Sequence, residues 1–110
     1  MNDIHLNINT TSYDIPMTGQ DCNINLLTKI VKEAGRKTRA EGVAVTAILL
    51  PGDFIAHGLS IYDTLDENLV NYNWPLMMET FQTVMSVISD EFPGVPILPS
   101  IGNNDCYYHD

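Results

Sequence analysis

Ala47-Ile48-Leu49-Leu50-Pro51-Gly52-Asp53-Phe54-Ile55-Ala56-His57-Gly58 is an apolar run that stops at a glycine and a carboxylate and is followed, four residues on, by a histidine. The residues leading into it, Val43 to Leu50, are rich in β-branched side chains and almost continuously apolar. That pattern predicts a short parallel strand covered on both faces. Gly52 permits a tight exit, and Asp53 then stands at the carboxyl end of the strand, where open α/β sheets bind their ligands. Aspartate is also an ordinary turn and cap residue, so one Gly-Asp pair after one strand carries little alone.

The segments on either side supply the rest of an α/β unit. From Asp21 the apolar period becomes helical: Leu26, Leu27, Ile30, Val31 and Ala34 share a face, Asp21 or Asn23 can cap the start, and Gly35 or Gly42 can end the helix. Leu6 to Gln20 reads as loop, and Leu59 to Asn73, acidic and polar, as loop with at most one helical turn. Trp74-Pro75 is expected to open a second helix, because proline suits a first turn. Met77, Met78, Phe81, Val84, Met85, Ile88 and Phe92 give that helix a broad apolar face, a pattern far more often core than cofactor box. Pro93-Gly94 ends it. Val95 to Ile101 then reads as a second strand, with its prolines tolerated at strand ends and edges. This strand delivers Gly102-Asn103-Asn104-Asp105 to the same sheet edge as Asp53. Helix, strand, helix, strand predicts parallel strands with crossover helices in one domain over 1–110.

Asp3-Ile4-His5 opens the chain. Three separated segments thus carry Asp, His, Asp and Asn to loop positions, a donor set suited to hard-to-borderline divalent metals such as zinc, manganese or iron. In order and spacing these blocks resemble the calcineurin-like metallophosphoesterases, whose pattern runs D-x-H, G-D, G-N-H-D/E, a lone His and G-H-x-H. With His57 in Gly-Asp-Phe-Ile-Ala-His, the chain is most similar to the acid-sphingomyelinase-like phosphodiesterases and their endopolyphosphatase relatives. The resemblance spans nearly the whole chain and covers the first three blocks.

The resemblance implies the amino-terminal part of a single metallophosphoesterase sandwich and two divalent ions, zinc first, with manganese or iron as alternatives. Asp3, His5 and Asp53 would hold the first ion, Asp53 would bridge to the second, and Asn103 would bind the second through its amide oxygen. A pair of such ions can share a carboxylate, clamp a phosphoryl oxygen and acidify a water that attacks in line. Asn104 stands where the wider family has histidine; it can hydrogen-bond a phosphate oxygen but cannot protonate a leaving group. His57 is the candidate for that proton, although Gly58 replaces the aspartate that usually follows. Read without the other blocks, His57 is a surface loop histidine, as His109 is. Asp105 is expected to orient a neighbour or cap the following turn rather than bind metal. The histidines that would complete both coordination spheres fall beyond Asp110, so the expectation is an active full-length parent and an inactive isolated chain. The implied substrate is a phosphoester: a phospholipid headgroup, a nucleotide or polyphosphate. A protein phosphatase would carry Arg beside Asp53, which this chain lacks. Within enzymes the alternatives are an endopolyphosphatase or a phosphomonoesterase, and outside them a non-catalytic fragment or scaffold that keeps the fold and not the activity.

Composition sets outer bounds. The chain has 110 residues, 45% of them hydrophobic, enough for a core in one small domain. A formal net charge of -9 argues against a nucleic-acid partner, while bound dications would still admit a phosphate. All the basic residues (Lys29, Lys32, Arg36, Lys37, Arg39) crowd one stretch, read as a solvated helix end with cations near the carboxyl-terminal dipole. Cys22 and Cys106 fit a disulfide or two inert thiols equally well. Asn9-Thr10-Thr11 is a glycosylation sequon, and no signal peptide or membrane-spanning run is present. By resemblance the full-length parent would be secreted, or lysosomal or vacuolar.

Overall fold

The structure, a computed structural model, describes residues 3–8, 20–56, 67–102 and 105, with backbone alone over 67–73. Its elements run α1 (Ile24–Ala40), β1 (Ile48–Leu50), α2 (Glu67–Glu91) and β2 (Ile97–Pro99). The two strands pair in parallel with register Ile48 to Ile97, Leu49 to Leu98 and Leu50 to Pro99. This is the mixed α/β arrangement, with parallel strands joined through a helix, that the alternating pattern predicts.

Helix α1 starts at an Asn23 cap whose side-chain oxygen accepts from the Leu26 amide at 2.9 Å, satisfying one of the first-turn N–H groups. It ends at Glu41, and Gly42 follows with φ of 67°, the left-handed residue that commonly closes a helix. Lys37 and Arg39 occupy the last turn, as the dipole favours. Gly35 does not end the helix. It is buried inside it, where an added Cβ would meet Glu91 Oε1, and Glu91 in turn accepts from Arg39 at 2.7 Å. The buried stripe is therefore Leu27, Val31 and Gly35, one turn apart, while Ile30 lies exposed.

Helix α2 begins at Glu67, not at Trp74-Pro75, so Pro75 sits in its interior and residues 67–73 are helix rather than loop. An interior proline removes the rung to the carbonyl four residues earlier and crowds that carbonyl with its ring, at about 3 kcal/mol or more, and here the helix continues through it. A rule that places proline in first turns cannot foresee a helix that tolerates the gap. Met77, Thr80, Val84 and Ile88 form the buried stripe, and Met78, expected on it, faces solvent.

Both strands are shorter than expected, and the reason is visible in the ladder. Ile48 N donates to Pro96 O at 2.9 Å and Ser100 N to Leu50 O at 2.8 Å, so the even-numbered residues near β2 face β1. In this register the Thr46 carbonyl would take its bond from the N–H of residue 96, and Pro96 has none. Pairing therefore starts at Ile48, and Val43 to Ala47 stay outside the strand. Pro99, odd-numbered, turns its nitrogen to the outer edge, where a missing donor breaks no rung.

The expectation that β1 is covered on both faces is also corrected. Leu50, Ile48 and Ile97 face a core built with Leu27, Val31, Met77, Val84 and Ile88. Their alternates Leu49 and Leu98, side by side in register, are 64% and 54% exposed. The described helices cover one face of this pair, and a continuous apolar run cannot report which faces are covered.

Candidate metal centre

The carboxyl ends of the two strands meet through glycine. Gly52 has φ of 117°, a backbone region in which glycine has no steric penalty, and a Cβ there would lie 2.1 Å from Gly102 N. A Cβ on Gly102 would lie 2.3 Å from Asp53 Oδ1 and 2.4 Å from Asp53 N. The bare Gly102 backbone thus makes room for the Asp53 turn. Asp53 follows at the end of β1 and Gly102 at the end of β2, on the shared sheet edge that the strand order predicts.

The amino-terminal residues reach this edge through Leu6. Leu6 bridges in parallel to both Ile55 and Cys22 and is fully buried. His5 N donates to Asp53 O and Leu6 N to Phe54 O, each at 2.8 Å, and Ala56 N returns a bond to Leu6 O at 3.2 Å. On the other side Cys22 N donates to His5 O at 3.0 Å and Asn7 N to Cys22 O at 2.8 Å. The segment is wedged between the β1 exit and the residue before the α1 cap.

That wedge brings Asp3, His5 and Asp53 together, with one potential ligand atom from each within 4.8 Å of the others. Ligands about 2.0–2.2 Å from one zinc stand at most about 4.4 Å apart, so atoms grouped this closely are on the scale of a metal site. Asp3 is exposed, and His5 and Asp53 are partly buried. The His5 ring lies with Nδ1 3.1 Å from Ile55 O. A carbonyl can only accept, so Nδ1 is the protonated nitrogen of this contact and Nε2 is the one placed to act as a ligand, the usual orientation of a metal-binding histidine. The donor set, two carboxylates and an imidazole, fits a divalent ion.

All three residues have positive φ: 48° at Asp3, 44° at His5 and 53° at Asp53. Among the described residues the other positive φ values belong to glycines. Asp and His are the side chains, after Asn, that best tolerate this region. The pattern of residues gives no sign of it.

Asp105 is buried, at 7% exposure, and is not part of the cluster. Its carboxylate accepts from the amides of Phe54 and Ile55, at 3.1 and 3.3 Å to Oδ1, and of Gly102, at 3.1 Å to Oδ2. The sequence suggests an orienting role but not these partners, which lie up to 51 residues away. His57, Asn103 and Asn104, expected at the proton-donor, second-metal and phosphate positions, lie outside the described residues, as do Cys106 and His109. Cys22 is a free thiol that donates to Asn23 O at 3.2 Å. Burial pushes its pKa above the usual thiol value, and the Asp21 charge adds to that, against an opposing hydrogen bond from the Leu27 backbone.

The basic stretch makes ordinary helix-surface pairs. Arg36 bonds Glu33 one turn before it, which holds the exposed Glu33 carboxyl below its ordinary pKa, and Arg39 bonds Glu91. No family model, no curated protein and no solved structure matches this chain. Among the described residues no helix is long and apolar enough to cross a membrane.

Proposed function

We propose that this protein supplies the first-metal side of a metal-dependent phosphoester hydrolase of the calcineurin-like kind, in the sphingomyelinase-like branch. The observation that carries the reading is the convergence of Asp3, His5 and Asp53, from segments about fifty residues apart, at the carboxyl ends of parallel strands. The orientation of His5 by the Ile55 carbonyl supports it further. In this reading Asp3, His5 and Asp53 would hold one divalent ion, and Asn103 would help to hold a second. Bound ions of this kind neutralise phosphoryl oxygens and acidify the attacking water. Asn104 would steady a phosphate oxygen, and His57 would supply the proton to the leaving group. The bare Leu49 and Leu98 face suits a sandwich in which another layer covers it. The substrate class is a phosphodiester or polyphosphate, met outside the cell or in a lysosome or vacuole.

Calorimetric titration with Zn2+ and Mn2+ tests the metal part directly. Wild type should bind and gain thermal stability, by about 2.7 kcal/mol at a hundredfold excess over Kd, and Asp53→Asn should lose both. Hydrolysis of bis(p-nitrophenyl) phosphate by the metal-loaded full-length protein tests the chemistry, and Asp53→Asn should abolish it with the fold intact. Absence of any metal-dependent stabilisation, with unchanged turnover in Asp53→Asn, overturns the proposal in favour of a scaffold.

A further inference from the structure

We infer that Asp105 is the positioning residue of this centre: its carboxylate fixes the two peptide units that set both Asp53 and His5. The inference rests on the metal reading above for its purpose, and on backbone geometry for its substance.

Each of those peptide units is held at both ends. In the unit between Asp53 and Phe54, the N–H donates to Asp105 Oδ1 at 3.1 Å, and the C=O accepts from His5 N at 2.8 Å. In the next unit, between Phe54 and Ile55, the N–H donates to Asp105 Oδ1 at 3.3 Å, and the C=O accepts from Leu6 N at 2.8 Å. The carboxylate therefore orients two consecutive peptides whose carbonyls dock the amino-terminal segment. A charged acceptor on the N–H side polarises each peptide and strengthens the bond on its C=O side. Ile55, the residue after the second unit, supplies the carbonyl that sets the His5 ring. Thus the backbone conformation of Asp53 and the docking of His5 both run through the amides that Asp105 holds.

Charge and burial say why the residue is an aspartate. A buried carboxylate needs donors, and Arg36 and Arg39 are engaged on the helices with Glu33 and Glu91. The charge of Asp105 is met by backbone amides instead, from the exits of both strands: Phe54 and Ile55 after β1 and Gly102 after β2. Successive amides converging on one anion beside a left-handed residue form an anion-binding concavity, and here the left-handed residue is Asp53. An asparagine would keep the shape and lose the charge, with an NH2 group placed against an N–H.

The test compares wild type with Asp105→Asn, and with Asp105→Ser if the amide variant does not fold. Ile88→Val, a one-methylene truncation in the core, serves as the control for stability alone. In the metal-free protein, 15N-1H spectra should show the amides of Phe54, Ile55 and Gly102 shifting upfield. The amide of His5, which donates to the Asp53 carbonyl, should move with them, and the Asp53 coupling constant should leave its left-handed value. An unmoved His5 amide overturns the relay. Visible absorption on titration with Co2+ then reads metal affinity, which should fall about 10–100-fold in Asp105→Asn and stay at the wild-type value in Ile88→Val. Equal Co2+ affinity in wild type and Asp105→Asn overturns the positioning role. If wild type takes up no Co2+, the hydrolase reading fails, and the His5 amide alone decides whether the clamp holds.

Discussion

The two ends of the parallel pair treat the left-handed backbone differently. Toward the amino ends of the strands the chain uses glycine: Gly42 closes α1 and Gly94 makes the turn into β2, both with positive φ and both with open space where a Cβ would go. At the carboxyl ends Gly52 is joined by three residues with side chains, Asp3, His5 and Asp53, that take up positive φ themselves. A left-handed non-glycine residue costs roughly 1–2 kcal/mol, and such strain gathers where a side chain is needed for something other than folding. The contrast marks the strand exits as the end where side chains were kept in spite of the backbone.

Substitutions can break or sharpen that contrast. The largest effect is expected from Leu6→Ala. Leu6 is fully buried and bridges the β1 exit to Cys22, so its truncation should cost about 2–5 kcal/mol in chemical denaturation and release Asp3 and His5 from Asp53. Gly102→Ala comes next, at about 1–3 kcal/mol, because its Cβ would press on the Asp53 backbone at 2.4 Å. Metal affinity should fall with stability in that variant. Gly42→Ala has room for its methyl group and only the φ of 67° against it. It should lose about 1–2 kcal/mol with metal binding unaffected. Asp53→Gly should leave the metal-free protein within about 0.5 kcal/mol of wild type, since relief of the left-handed strain offsets the added chain entropy of glycine, while metal-induced stabilisation disappears. If Asp53→Gly instead unfolds the protein, the carboxylate is structural and the contrast fails. Smallest is a rate. Burial keeps the Cys22 thiol protonated above its ordinary range, so its alkylation at pH 8.5 should be slower than in urea, and its reactivity should rise only at higher pH.

How much of this could be read in the residues follows the range of each interaction. The Asn23 cap, the Gly42 closure and the placement of Asp53 just beyond an apolar run are local, and the sequence carries them. The parallel pairing follows from the alternation of helix and strand. The start of α2 does not, because Pro75 is tolerated inside a helix whose other rungs hold. The length of β1 does not, because it is decided by the missing N–H of Pro96 on another strand. The exposure of Leu49 and Leu98 depends on which face the helices cover, and apolar composition is blind to that. The grouping of Asp3, His5 and Asp53 was legible as a pattern of donors, but the wedge that achieves it was not. Leu6 gives no sign in sequence that it will pair with two segments at once.

The Leu6 bridge also has a consequence for the order of folding. Its bonds to the β1 exit span about fifty residues, as does the His5 bond to Ile55, whereas each helix closes its own turns within a few. Loops of that length close late, after local structure has formed. The amino-terminal clasp should therefore be absent from the rate-limiting barrier. Variants at His5, Leu6 or Asp105 would leave the refolding arm of a chevron nearly unchanged and steepen the loss of the native state by raising the unfolding rate.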